Sequence, residues 1–177
     1  MQQNDVIIGT MDTPLGTFGA VVTHQGLARL TFPDEPLSAC EAWVRRWVPG
    51  ARVVPDDGRL AEVGRQLREF LSGRLQNFSV PLDMRGTPFQ REVWAALRTI
   101  PYGQVCSYAD IARLVGRPKA VRAVGAANGA NPVPVIVPCH RVIGSNGKLT
   151  GFGGGLPLKE RLLKLEGPQN QQQMLDL

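Results

Sequence analysis

The sequence predicts an α+β protein in two parts. One is an N-terminal α/β domain with a small antiparallel sheet, and the other is a mostly helical C-terminal domain containing a helix-turn-helix. Three observations predict it. Short β-rich runs fill the first 32 residues, and helical periodicity with strong start signals dominates after residue 86. Two short helical stretches then flank a Gly116-Arg117-Pro118 break.

The runs Val6–Met11, Leu15–Thr23 and Leu27–Phe32 are separated by Gly and Asp/Thr/Pro turn residues, with His24-Gln25-Gly26 as a hairpin tip. Two helices follow. In Leu37–Val48, the residues Leu37, Cys40, Trp43, Val44 and Trp47 share one stripe; in Leu60–Leu71, Leu60, Val63, Leu67, Phe70 and Leu71 do the same. Cys40 therefore reads as a buried structural thiol. Gly73 is a helix stop, and residues 74–86 read as a connector. The expected domains are 1–80 and 81–167, with 168–177 a polar, Gln-rich tail expected to be disordered.

Thr87-Pro88 has the cap and first-turn chemistry of a helix start, and Phe89, Val93 and Leu97 mark the inner face of that helix. A turn at Pro101-Tyr102-Gly103 ends it. Ser107-x-x-Asp110 is a capping-box-like start for a helix over Tyr108–Val115. A further helix runs from about Lys119 to Gly129. The last, Pro157–Leu165, aligns Leu158, Leu162 and Leu165 and stops at Glu166-Gly167.

Composition narrows the function. Apolar residues make up 43% and charged residues 20%, enough for an ordinary core. No run approaches the roughly 18 apolar residues of a membrane span, and the N-terminus lacks the regions of a signal peptide. A cytoplasmic protein with reduced cysteines and no membrane association is expected. There are three cysteines and two histidines, without Cys-x-x-Cys or His-x-x-x-His spacing, so neither a metal nor a cofactor is expected. Residues 1–84 carry eight Arg against ten acids, net −2; residues 85–167 carry eight Arg and four Lys against four acids, net +8. That half suits a polyanionic partner, although a solubilising surface has the same charge.

On the helix ending at Gly129, Arg122 is followed three, four and seven residues later by Gly125, Ala126 and Gly129. All lie on its own face. Such a face admits another backbone closely, with one long cation projecting. A DNA groove with a gapped base stack fits it, and so does a tightly packed neighbouring helix. Few side chains there address base edges, so any DNA contact is expected to read shape and backbone.

Asn131-Pro132-Val133-Pro134-Val135-Ile136-Val137-Pro138 is a stiff apolar run leading into Cys139-His140-Arg141. A thiolate is the nucleophilic form of cysteine, and adjacent cations or a proton-accepting imidazole favour it. Adjacent residues of an extended chain point apart, so His140 needs a bridging water to act on Cys139. An inert buried cysteine is the alternative. A papain-like pair would need the distant His24, at the hairpin tip.

Asn131-Pro132-Val133-Pro134 running into Pro138-Cys139-His140-Arg141-Val142 resembles the active-site signature of the O6-alkylguanine-DNA alkyltransferases, the methylated-DNA–protein-cysteine methyltransferases. The likeness extends over Arg85–Gly167. It includes Gly86-Thr87-Pro88-Phe89-Gln90, Ile100-Pro101-Tyr102-Gly103, Ser107-Tyr108, Arg122-Ala123-Val124-Gly125 and Leu165-Glu166-Gly167. The resemblance implies direct repair of duplex DNA. The alkyl group of O6-alkylguanine, with O4-alkylthymine as a further substrate, passes irreversibly to Cys139 in a single turnover with nucleotide flipping.

It also implies roles. His140 is the base acting through a water, and Glu166 orients it. Asn131 braces the turn by hydrogen bonds. Tyr108 presses on the target phosphate and supplies a proton to the leaving guanine. Arg122 fills the space of the flipped nucleotide. Ala123, Gly125, Ala126, Gly129 and Ser145 meet DNA in the minor groove. Pro134, Val142, Phe152 and Gly153 form the base pocket, with the backbone of Cys139, Val142 and Gly153 holding the base. A monomer is implied, with cooperation along DNA left open. Two features depart from the family pattern: Phe152 stands where many relatives have Tyr, and the zinc ligands of some relatives are absent. The glycines of Gly151-Phe152-Gly153-Gly154-Gly155 suggest a pocket wall able to admit adducts larger than methyl. Two rival classes share parts of this pattern, a non-enzymatic lesion binder lacking the cysteine and a helix-turn-helix transcription regulator. The presence of Cys139 and the scarcity of base-reading side chains weigh against them.

Overall fold

The computed structural model describes residues 1–33 and 35–167 and divides into two compact units, Met1–Arg85 and the part beginning at Gly86. The first unit contains β1 (Asp5–Thr13), β2 (Gly16–Thr23), β3 (Leu27–Leu30), α1 (Ser38–Trp47), β4 (Arg52–Val53) and α2 (Arg59–Leu71). The sheet order is β3-β2-β1-β4. β1 and β2 pair antiparallel from Val6↔Thr23 to Thr13↔Gly16. β4 pairs parallel to β1 through Asp5↔Arg52 and Val6↔Val53, so the small sheet is mixed rather than wholly antiparallel. Two residues carry no readable periodicity. What holds β4 in place is tertiary: the Arg52 guanidinium donates to Asp5 at 2.9 Å.

Cys40 is fully buried with Val6, Val21, Val44 and Val48, as its helical stripe predicts, and burial pushes its thiol up to about 11. The unit extends past the expected boundary at residue 80. Leu27 N–H donates to the Pro81 carbonyl, Leu82 bridges to Leu27, and the Thr23 hydroxyl donates to Asp83 at 2.8 Å. Gly26, at φ 147°, is where the hairpin tip meets this segment: a Cβ there would lie 2.3 Å from the Pro81 oxygen. Residues 81–85 thus close the first unit, because their backbone is satisfied there.

The second unit contains α3 (Pro88–Leu97), β5 (Cys106–Ser107), α4 (Tyr108–Leu114), α5 (Val121–Gly129), a single 3-10 turn over Cys139–Arg141, β6 (Val142–Ile143) and α6 (Leu156–Glu166). Both α3 and α4 start in full capping boxes, Thr87 with Gln90 and Ser107 with Asp110. α5 begins two residues later than expected, because Arg117–Ala120 closes a turn of its own through Ala120 N–H to the Arg117 carbonyl. The Trp94 indole donates to the Ala127 carbonyl at 2.8 Å and fixes α3 against α5. β5 and β6 form a two-residue parallel pair. It ties the residue before Tyr108 to the segment just after Cys139, a link too short to read from sequence. Among the described residues no helix is long and apolar enough to cross a membrane. The expected tail, 168–177, lies outside the described residues.

Candidate active site and nucleic-acid face

The Asn131–Pro138 run is stiff for a reason beyond its prolines. Asn131 spans it, accepting from Val133 N–H at 3.0 Å and donating to the Val137 carbonyl at 2.8 Å. Between them Val135 is held at φ 71°, a left-handed conformation that costs a β-branched residue roughly 1–3 kcal/mol. The run delivers Cys139 into the 3-10 turn, where the residue is 3% exposed. Asn128 donates to the Cys139 carbonyl at 3.4 Å from the inner face of α5.

His140 is fully buried, and its Nε2 lies 2.7 Å from Glu166 Oε1. Burial raises the Glu166 carboxyl, but hydrogen bonds and charge from His140 and Arg141 outweigh it, so the group sits below its ordinary value and is ionised. A carboxylate only accepts, so His140 Nε2 must donate. Burial holds the imidazole below its ordinary value against the pull of Glu166, and Arg141 and Lys159 push the same way. A neutral ring donating from Nε2 presents Nδ1 as a bare acceptor. Nδ1 is buried with no hydrogen-bond partner among the described residues. The arrangement is that of an oriented base.

Burial drives the Cys139 thiol up to about 11, against lowering contributions from Asn131, Lys159 and the backbone N–H groups of Cys139 and His140. The resting group is therefore a thiol, not the thiolate expected from its neighbours His140 and Arg141. Arg141 is spoken for elsewhere: its guanidinium grips both oxygens of Glu166, at 2.8 and 3.0 Å, and the Ile100 carbonyl at 2.6 Å. The Gly103 N–H adds a fourth bond to Glu166.

Tyr108, at the start of α4, donates its hydroxyl to the Thr150 carbonyl at 3.2 Å, with the Gly151 carbonyl at 3.4 Å. Burial raises its pKa, which keeps it protonated and able to donate. A Cβ on Gly125 would lie 3.9 Å from the Tyr108 ring, so the tyrosine borders the small-residue face of α5. On that face Arg122, Ala123, Ala126 and Gly129 are exposed and Gly125 is half-buried, while Val124, Ala127 and Asn128 point inward. Among the described residues no neighbouring helix covers the exposed Arg122, Ala126 and Gly129 of this face, which sets the tightly packed alternative aside. Val142 and Pro134 are buried, Phe152 is half-buried, and Gly153 and Ser145 are exposed, Ser145 in the turn after β6.

Sequence reasoning placed the inner face of the last helix on Leu158, Leu162 and Leu165. The buried residues of α6 are Lys159, Leu162, Leu163 and Glu166. Their spacing of three, four and seven is the stronger helical stripe, but two of its members are charged and reading apolarity alone passes over them. Lys159 and Asn128 are the site residues that reading missed, and Arg141, read as a cation for the thiol, pairs with Glu166 instead.

Two family models match the chain. The 6-O-methylguanine DNA methyltransferase ribonuclease-like domain covers residues 6–84, and the 6-O-methylguanine DNA methyltransferase DNA binding domain covers residues 88–168. The chain belongs to the methylated-DNA–protein-cysteine methyltransferase family. The inducible family member of Bacillus subtilis is 49% identical over 144 residues, covering 81% of this chain and 80% of that one. The member from Mycobacterium bovis is 46% identical over 162 residues, covering 89% and 90%. The crystal structure of Mycobacterium tuberculosis O6-methylguanine methyltransferase superposes with a TM-score of 0.77 at 43% identity, covering 91% of this chain and 92% of that one. The Mycobacterium tuberculosis OGT in complex with DNA gives 0.75 at 41% identity, covering 97% and 99%.

Proposed function

We propose that this family member repairs alkylated duplex DNA directly, moving the alkyl group of O6-alkylguanine onto Cys139 once per molecule. The observation that carries the proposal is the bare Nδ1 of a neutral, Glu166-anchored imidazole on the residue that follows a resting thiol. His140 takes the thiol proton, through a water. The sulfur attacks the alkyl carbon in line, an S–C bond forms, and the C–O6 bond breaks. The departing guanine takes a proton, which the Tyr108 hydroxyl supplies. The displacement calls for a thiolate, in-line access and a protonated leaving group, all of which side chains provide. Because the alkyl group stays on sulfur as a thioether, the acceptor is consumed.

Burial of Cys139 supports nucleotide flipping as part of the proposal. With Cys139 only 3% exposed, its thiol cannot reach a base stacked in a duplex. The nucleotide has to leave the stack, at a cost of a few kcal/mol that is smaller for a weakly paired alkylated base. In the proposed complex Arg122 occupies the gap, and Ala123, Gly125, Ala126, Gly129 and Ser145 lie along the minor groove. Pro134, Val142, Phe152 and Gly153 form the pocket. The Val142 carbonyl already accepts from Lys159 at 2.6 Å, leaving one lone pair for the base. O4-alkylthymine offers the same alkyl–oxygen bond and is included in the proposal, as is action by a monomer.

Incubation with duplex DNA containing O6-methylguanine, followed by mass spectrometry of the Cys139 peptide, tests the reading. One methyl group is expected on wild type and none on Cys139→Ala. An unmodified wild-type peptide, or a methyl found elsewhere in the Cys139→Ala protein, overturns it.

A further inference from the structure

Lys159 is fully buried, with no carboxylate paired to it among the described residues. Its ammonium donates to the Val142 carbonyl at 2.6 Å and to the Thr150 carbonyl at 2.9 Å. It also lies 5.9 Å from the ring centroids of both Tyr108 and Phe152. Burying a cation this way is costly, and an apolar side chain of similar length would pack α6 at lower cost. The Val142 carbonyl that holds the ammonium lies three residues after Cys139, at the end of the turn that carries the thiol. The interaction with Cys139 is reciprocal: the ammonium lowers the thiol, and the thiolate raises the ammonium. Of the cations near the thiol, Arg141 is committed to Glu166 and His140 is neutral, which leaves Lys159 as the uncompensated positive charge.

We propose that Lys159 is the positioning residue that sets the reactivity of Cys139. Its ammonium supplies the counter-charge that lets the thiolate form in a buried site, and its two carbonyl bonds hold the Val142 and Thr150 walls of the base pocket. The proposal rests on Cys139 being the alkyl acceptor. The same Thr150 carbonyl receives the Tyr108 hydroxyl, so the charge that tunes the nucleophile also anchors the proton donor. Burial pulls the Lys159 ammonium down to about 8 against the opposing effect of Cys139. The other ionisable groups around the pair are Tyr108, His140, Arg141 and Glu166; burial holds His140 below its ordinary value and raises Tyr108.

Full-length wild type, Lys159→Met, Lys159→Gln and Lys159→Arg are compared, each first checked for folding by thermal melting. Ionisation of Cys139 is followed without DNA by thiolate absorbance, with Cys139→Ala as the blank for Cys40 and Cys106. Methyl transfer is followed with the O6-methylguanine duplex from about pH 6 to pH 10. Each neutral variant should slow transfer about tenfold near pH 7, where the wild-type ammonium is charged, and converge on the wild-type rate above about pH 8, where wild type loses that charge too. Lys159→Arg, charged throughout, should bring the Cys139 titration about one unit below that of wild type. Its transfer rate should go on rising above about pH 8, where the wild-type rate flattens as Lys159 loses its proton. A neutral variant whose transfer falls equally at all pH values, or an unmoved Cys139 titration in Lys159→Arg, overturns the proposal. If neither neutral variant folds, identical wild-type and Lys159→Arg pH profiles overturn it. Wild type that shows the thiol titration but no methyl transfer instead sinks the alkyl-transfer reading, and leaves the absorbance comparison to decide on Lys159.

Discussion

Glu166 is the residue on which the candidate site depends most. One carboxylate receives His140, both sides of the Arg141 fork and the Gly103 amide, all in a nearly water-free setting. Glu166→Gln keeps the shape and removes the charge, leaving the Arg141 guanidinium buried without its partner. The expected cost is about 3 kcal/mol in unfolding free energy by denaturant titration. Transfer should also slow by roughly 10²–10⁴-fold in single-turnover kinetics, because the imidazole loses its fixed tautomer. His140 adds a pH signature. Its folded value is depressed below the ordinary 6.5, so the unfolded chain binds the proton first as pH falls. The stability that depends on its neutrality is complete above that value and is lost as pH drops through and below it. Melting temperature should fall from about pH 6.5 downward. His24→Gln should keep this acid-side loss, and His140→Asn should flatten it. Cys139 and His140 were legible in the sequence because a rare nucleophile and a base stand side by side behind prolines. Lys159 was not, because its significance comes from burial that folding imposes on an ordinary-looking lysine.

At the scale of the element, α5 does two jobs with its two faces. Val124, Ala127 and Asn128 pack inward, and Arg122, Ala126 and Gly129 stay open. Gly125→Ala places a methyl at ordinary contact distance from Tyr108 and removes the flexibility penalty of a helical glycine. It should stabilise the fold by about 0.5 kcal/mol while duplex binding stays near wild type. Ala126→Leu should leave the melting temperature unchanged and weaken binding about tenfold by fluorescence anisotropy, because bulk on the open face keeps a backbone from approaching. Equal binding by both variants would place DNA elsewhere. The capped helices α3 and α4 were legible from Thr87, Gln90, Ser107 and Asp110 alone, since capping is local chemistry. The parallel β5–β6 pair and β4 were not. Two-residue strands owe their existence to partners remote in sequence.

For the whole molecule, the charge division read from the sequence falls close to the division into units. The helical unit carries nearly all the positive excess, and its Arg91, Arg98, Arg113, Arg117, Lys119, Arg122, Lys148, Arg161 and Lys164 are exposed. If about four phosphates are neutralised on binding, log affinity plotted against log salt should have a slope near −4. Arg122→Gln should reduce that slope by about one, measured by titration at several salt concentrations. A slope near zero would mean that this charge serves solubility only. The N-terminal unit gave fewer signals of purpose. Its strand and helix periodicities place a core, but no chemistry-bearing cluster in its sequence distinguishes a support from a second site.

The anchoring of His140 by Glu166 also imposes an order in time. A ribosome makes the thiol and its imidazole first, and the carboxylate that fixes the tautomer only 26 residues after His140, in the last turn of α6. Until that turn exists and docks, the ring has no fixed donor side, Arg141 has no buried partner, and Lys159 has not been carried to Val142. A nascent chain therefore holds an ordinary cysteine. In the proposed reaction the acceptor is consumed, and its reactivity arises only with completion of the helical unit, so it is armed only after it is built.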